Sequence, residues 1–417
     1  MSVRNFIANS VIICTISLVM FIASELVFRE MIARGMIESF KLPEQSVVSW
    51  HDLRVDSQKP LEETDVYQSV PWAAQWLKES KTGARGVRFA PYHIWVNKPY
   101  QNAFMTIDEE GFRQVVPDYA DKEGDVRNVF FFGGSTMAGG SLNRDDDLIA
   151  SQVCKLINER YPKVRFNCRN YGHNGYNSTN EILLLNKLLI QGKTPDYVVF
   201  FDGINDTIQQ VVYGIPHNFK GLMEWAVEVG QNPLQYQRIR LRLAQIAIDT
   251  SMLLRWATGY ELRNIIPLYV TIPSKTLQKN PAILRNAADA MAMDIFGKYR
   301  VVNALAEGLG FEALFVIQPN IFSSTKKMTE EEQKLINRHL EKAPFLAQAY
   351  RFSEEALRRE RAISEMSNVI DGANMLDGVD QSVFFDLAHI SPVGNAAIAK
   401  RMAESMRSIF NFDTKYD

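Results

Sequence analysis

Asn128-Val129-Phe130-Phe131-Phe132-Gly133-Gly134-Ser135-Thr136-Met137 is the stretch on which the fold turns. Residues 129–132 form a short unbroken apolar run, the pattern of a strand buried on both faces of a parallel sheet. Two glycines close the run and release the chain into a turn that presents Ser135. The same strand-then-helix order repeats downstream. Asp147 opens a helix whose apolar positions Leu148, Ile149, Val153, Leu156 and Ile157 keep roughly one face, and residues 164–168 predict a second strand. Ser178-Thr179-Asn180-Glu181 has the form of a capping box, with the serine oxygen accepting from the backbone three residues on and the glutamate reaching back; it opens a helix over 182–190. Residues 197–201 and 313–317 are two further apolar strands, and Thr329 to Glu332 forms a second capping box. Ser391-Pro392 caps a last helix through Ala396, Ile398, Ala399, Met402 and Met406, with proline at the position where its missing N–H costs nothing. Such alternation implies an α/β fold: a parallel sheet covered by helices on both faces.

The chain has 417 residues, 46% hydrophobic and 23% charged, which suits one large α/β domain with insertions, or two domains. A formal net charge of −2, with no basic cluster interleaved with aromatics, argues against nucleic acid as a partner. Residues 6–24 carry no charge and are long enough to cross a bilayer, which takes ~20 residues as a helix. Phe21-Ile22-Ala23-Ser24 makes a poor cleavage site, so an uncleaved single-pass anchor is expected over 1–28, with the bulk of the chain periplasmic or extracellular. A juxtamembrane stalk follows over 29–60 and an ordered lead-in with short strands over 61–125; the α/β domain spans 126–412, with a helical insertion at about 207–308 that is most helical over 282–309. Cys14 lies in the apolar segment, and Cys154 and Cys168 are expected as free buried thiols.

Three predicted strands end in polar corners that carry Ser135, Gly175 and Asn205, while Asp386 and His389 stand in the turn before the last helix. Ligands of open parallel sheets bind at the carboxyl ends of strands, so these five residues are expected at one edge. A serine hydroxyl is a poor nucleophile until a base takes its proton, and a histidine held by a carboxylate does this near neutral pH. Ser135 is therefore the expected nucleophile, His389 the base and Asp386 its orienting acid. The N–H groups of Ser135 and Gly175 and the amide of Asn205 are the expected oxyanion donors. His173 is expected as a loop histidine, and Asp206 as a cap for the helix after the third strand. Asp145-Asp146-Asp147 is expected as a solvated loop with one helix cap; neither metal nor cofactor is expected, and Gly133-Gly134 with Gly139-Gly140 lacks the lysine of a phosphate loop. Trp225 and Trp256 are expected to pack in the insertion's core.

Taken together, Gly133-Gly134-Ser135-Thr136, Asn170-Tyr171-Gly172-His173-Asn174-Gly175, Gly203-Ile204-Asn205-Asp206 and Asp386-Leu387-Ala388-His389 resemble the four blocks of the SGNH (GDSL-like) hydrolase family, over about residues 126–412. The resemblance implies a flavodoxin-like three-layer α/β/α sandwich and the same roles for Ser135, Gly175, Asn205, Asp386 and His389. Gly134 departs from the usual Gly-Asp-Ser. Gly111-Phe112-Arg113 and Gln318-Pro319 resemble membrane-tethered bacterial members linked to surface polysaccharide. The expected activity is hydrolysis of a small acyl ester, acetyl in the first instance, on cell-envelope carbohydrate. A lipid esterase or lysophospholipase, a polysaccharide acyltransferase, and a non-catalytic carbohydrate-binding or assembly protein are the other readings; oligomeric state is left open.

Overall fold

The computed structural model describes residues 20–27, 29–31, 34, 64–82, 86–90, 92–140, 143–212 and 281–416. The chain divides into two compact units, residues 1–46 with 223–269 and residues 47–222 with 270–417. In the first, residues 20–27 are helical. Residues 1–19 of the expected anchor, almost all of the stalk, and residues 213–280 of the insertion with both its tryptophans lie outside the described residues. Among the described residues no helix is long and apolar enough to cross a membrane.

The second unit is built on five parallel strands, β1 (Asp125–Gly133), β2 (Val164–Asn170), β3 (Tyr197–Asp202), β4 (Glu312–Ile317) and β5 (Val369–Asp371), in the order β2-β1-β3-β4-β5. This is the order of flavodoxin-like doubly wound sheets. Phe131, Phe132, Phe201 and Phe315 are buried along the three central strands, each contributing roughly 2–3 kcal/mol of hydrophobic stabilisation. Helices α1 (Ile149–Arg160) and α6 (Pro392–Ile409) pack together beside β2, while α2 (Ser178–Ile190), α3 (Pro281–Leu309) and α5 (Pro344–Ser364) form a second layer. A sixth helix, α4 (Glu330–Lys342), precedes α5. The helix expected inside an insertion is thus the β3–β4 crossover itself. It packs on β4 and buries Leu284, Ala288, Met291, Ile295 and Phe296, because its apolar period faces the sheet.

Three local expectations are corrected. Cys154 and Cys168 form a disulfide, with Cα atoms 6.1 Å apart, because the tight turn after α1 folds β2 back beside it. The α2 cap is Asn177 rather than Ser178: its side chain accepts from the N–H groups of Thr179 and Asn180, and Asn180 reciprocates. Glu181, expected in the box, is buried instead. The acidic triplet is only in part a solvated loop: Asp146 is exposed and Asp147 supplies the expected cap, on the Arg144 N–H, but Asp145 and Asp147 are withdrawn from solvent. Asp145 forms a buried pair with Arg113, whose Nε and Nη2 stand 2.9 and 2.7 Å from Oδ1. Asp147 is buried and accepts from the Arg144 N–H, and α1 starts two residues later than expected, at Ile149.

The lead-in is bound into this unit. It forms two antiparallel ladders, residues 87–90 with 94–97 and 100–101 with 106–107. Arg113 also donates to the carbonyls of Gly139 (3.0 Å) and Asn143 (3.1 Å), so it holds the loop that follows Ser135. Lys122 donates to the Asn158, Tyr161 and Val164 carbonyls and closes the end of α1.

Candidate active site

The register aligns Gly133 with Phe201 and Asp202 with Ile317, so the carboxyl ends of the central strands share one edge. Ser135 stands two residues beyond β1 at this edge, in a turn closed by the Gly140 N–H donating to the Ser135 carbonyl (2.7 Å). The loop over 384–390 faces it. Phe384 and Ile390 bridge, and the Phe385 N–H donates to the His389 carbonyl (2.9 Å). Asp386 Oδ1 accepts from the N–H groups of Ala388 (2.9 Å) and His389 (2.8 Å). That turn aims the other carboxylate oxygen, Oδ2, at His389 Nδ1, 2.7 Å away, and His389 Nε2 stands 2.7 Å from Ser135 Oγ. The three predicted side chains therefore form one continuous line, with the tautomer set by the carboxylate: Nδ1–H donates to Asp386, and Nε2 accepts from Ser135.

Burial disfavours the charge of Asp386, but the facing His389, its ring N–H and the two backbone donors outweigh this and hold the carboxyl well below the usual range. The loop is fastened from behind. Glu332 Oε1 accepts from the Val383 N–H (2.9 Å), while its Oε2 caps Thr329 and pairs with Lys326 at 2.6 Å in full burial. A second tie joins the residues next to Ser135 and His389: Gln318 Nε2 donates to Thr136 Oγ1 (2.7 Å), which lies 3.4 Å from the Ala388 carbonyl.

Gly175 follows β2 with φ of +80°, a conformation that favours glycine. Asn205 follows β3, and its Nδ2 donates to the Tyr176 carbonyl (2.6 Å). An amide nitrogen carries two hydrogens, so that bond fixes the side chain and leaves a second donor. The same placement explains Gly134. A Cβ there would lie 2.2 Å from Asn205 Nδ2 and 3.0 Å from the Tyr176 carbonyl. Gly134 therefore has no room for a side chain, because the Asn205 amide fills that space.

Behind Asn205 lie three buried carboxyl groups, Glu181, Asp202 and Asp206. Asp206 does not cap its own short helix. It accepts from the Ser178 N–H (3.3 Å) and hydroxyl (2.5 Å), and so secures the start of α2. Tyr299 donates to Asp202 (3.2 Å), and burial pushes Asp202 up to about 7 and Glu181 well above the usual range. His173 lies in the loop after β2, as expected, and is fully buried there. Its Nδ1 accepts from Trp95 Nε1 (3.1 Å), and burial lowers its pKa to about 4. Trp95 is a site neighbour that the sequence reading missed. It comes from the lead-in hairpin, and its ring lies 3.6 Å from where a Cβ on Gly175 would stand. Among the described residues no group of three or more His, Cys, Asp or Glu is arranged to hold a metal ion.

No protein-family model matches the chain, and no curated protein does. Solved structures are similar at low identity. A catalytic variant of Axe2, an acetylxylan esterase from Geobacillus stearothermophilus, is 13% identical over 68% of this chain and 96% of its own, with a TM-score of 0.35. LAE5, an alpha/beta hydrolase enzyme from the metagenome of Lake Arreo, Spain, is 11% identical over 68% and 95%, with a TM-score of 0.32. A putative acylhydrolase from Bacteroides fragilis is 11% identical over 70% and 90%, with a TM-score of 0.34. Likenesses at these scores transfer no role to any residue here.

Proposed function

We propose that this chain is a serine esterase of the SGNH type that removes a small acyl group, acetyl in the first instance, from an ester on cell-envelope carbohydrate. The observation that carries the reading is the unbroken line from Ser135 Oγ through His389 to Asp386, with 2.7 Å at both steps. His389 Nε2 takes the Ser135 proton as Oγ bonds to the ester carbon, and Asp386 holds the imidazolium. The N–H groups of Ser135 and Gly175 and the free hydrogen of Asn205 Nδ2 receive the developing oxyanion. Collapse breaks the bond to the alcohol, which leaves with the proton from His389. Water, activated by the same nitrogen, then releases the carboxylic acid and restores Ser135. The substrate half of the proposal rests on the four-block resemblance and on the uncharged N-terminal segment, which would hold the domain at a membrane, outside the cytoplasm.

Hydrolysis of aryl esters from acetate to octanoate, by the wild type and by Ser135→Ala, tests both halves. The proposal expects highest kcat/KM on acetate and loss of turnover in the variant. Preference for octanoate removes the acetyl-carbohydrate half in favour of a lipid ester, and undiminished turnover in Ser135→Ala removes the esterase itself. Added sugar acceptor that captures the acyl group in place of water would make the enzyme a transferase.

A further inference from the structure

The lead-in hairpin and α2 line a cavity of about 370 Å³ to which Ser135 contributes no lining residue. Its floor is apolar, with Ala90, Val96, Phe112, Leu184 and Leu188. One polar group stands among them. His93 is fully buried, packs edge-on to Tyr176 with centroids 6.1 Å apart, and has no hydrogen-bond partner at either ring nitrogen among the described residues. Unpaired buried polar groups cost stability and are rare, so such a group facing a cavity calls for an occupant. Burial, reinforced by the nearby charges of Lys187 and then His173, lowers the His93 pKa to about 3. The ring is therefore neutral, with one N–H donor and one acceptor.

Three cations, two acids (Glu109 and Glu110) and Gln191 line the rim. Arg88 donates to the Glu109 carbonyl, and Lys193 pairs with Glu110. The Lys187 side chain, half-buried, makes no ion pair or hydrogen bond among the described residues. Burial lowers its pKa, and the neighbouring Lys193 and Arg88 add to that against the pull of Glu110. An ammonium so placed gains from an anion, and the floor gains from an apolar body.

We propose that this cavity binds a small monocarboxylate carrying an apolar body, with the carboxylate on Lys187, the body on the Val96, Phe112, Leu184 and Leu188 surface, and His93 as the second polar contact. A cavity of this volume is within the range of small-molecule sites, and a few polar groups over an apolar floor are their usual make-up. The site is independent of Ser135 chemistry, so it stands or falls separately from the esterase reading.

The test is calorimetric titration of the full chain with 3-phenylpropionate, 3-phenylpropanol and 3-phenylpropylammonium, all water-soluble. The carboxylate is expected to bind saturably, about tenfold or more tighter than the alcohol and tighter still than the ammonium. Ser135→Ala is expected to bind it equally well. Lys187→Met is expected to abolish the preference for carboxylate over alcohol, and His93→Phe, which fills the cavity, to weaken both. A thermal melt on each variant confirms folding, and Lys187→Met, at a half-exposed position, keeps the test sound if His93→Phe does not fold. Absence of binding (water alone in the cavity), equal affinity for carboxylate and alcohol, or an affinity unchanged by Lys187→Met overturns the proposal.

Discussion

Asp386 and Asp202 lie toward the same carboxyl edge of the sheet, and their surroundings shift them in opposite directions. Asp386 is surrounded by donors: two backbone N–H groups and the His389 ring reach its two oxygens. Its carboxyl is kept well below the usual range despite the burial that opposes ionisation. Asp202, last residue of β3, sits among Glu181, Asp206 and Tyr299, where burial dominates and the charge of Asp206 adds to it, against hydrogen bonds from Glu181 and Tyr299 and the nearby Lys298. It is raised to about 7. The difference is one of balance: the facing His389 and two backbone donors outweigh burial at Asp386, while at Asp202 burial and the adjacent Asp206 outweigh its hydrogen bonds. One corner holds its carboxylate ionised beside the catalytic histidine, and the other is a set of buried acids shifted upward behind Asn205.

The sharpest way to break the comparison is Asp386→Asn. The amide keeps the shape but cannot hold His389 Nδ1–H, so turnover of aryl acetate is expected to fall on the order of 10⁴-fold, with a folded variant whose melting temperature falls only modestly as the ionised carboxylate's contribution is lost. A drop below tenfold would mean that the carboxylate does not set the imidazole tautomer. Next in size is Gly134→Ala, at the seam between the corners. Its Cβ would meet Asn205 Nδ2 at 2.2 Å, and the displaced donor is expected to lower kcat about 10²-fold, since small misplacements cost that much. Asn205→Ala is expected to match or exceed it, at about 10²–10³-fold. Full activity in both removes Asn205 from the oxyanion site.

The smallest effect is on stability against pH. A carboxyl raised in the fold is protonated there while the unfolded chain is already ionised, so its contribution falls as pH rises from about 4 to about 7. Asp386 acts in the opposite sense. Its contribution is present above the ordinary carboxylate pKa and is lost as pH falls through its depressed value. Urea midpoints between pH 4.5 and 7.5 are therefore expected to decline less steeply in Asp202→Asn than in the wild type. An unchanged slope would show that Asp202 titrates normally.

How much of this the sequence disclosed varied with the kind of signal. The central strands were legible because each is a continuous apolar run, and the Thr329 and Ser391 caps because their partners lie within three residues. Strand β5 was missed: it has three residues, Val369 to Asp371, too few for any periodicity. Ser178 lost its place as the α2 cap because its hydroxyl is taken by Asp206, 28 residues away. The Arg113–Asp145 pair, 32 residues apart, and the Cys154–Cys168 bond were hidden for the same reason. Proximity in space leaves no trace in a charge or a thiol read alone. The five site residues were expected at one edge because each follows a strand or precedes the last helix, and three of them are brought into hydrogen-bonded line. Trp95 had no such marker: it arrives from the lead-in, which carries no block of the pattern.

The central claim is that Ser135 is a nucleophile activated by His389. Peptide mass spectrometry of the full chain after brief exposure to a fluorophosphonate tests it directly. One phosphonyl adduct on the peptide containing Ser135 is predicted, formed at least about 10³-fold more slowly in His389→Ala and absent in Ser135→Ala. No adduct on Ser135, or one formed equally fast without His389, would contradict the account.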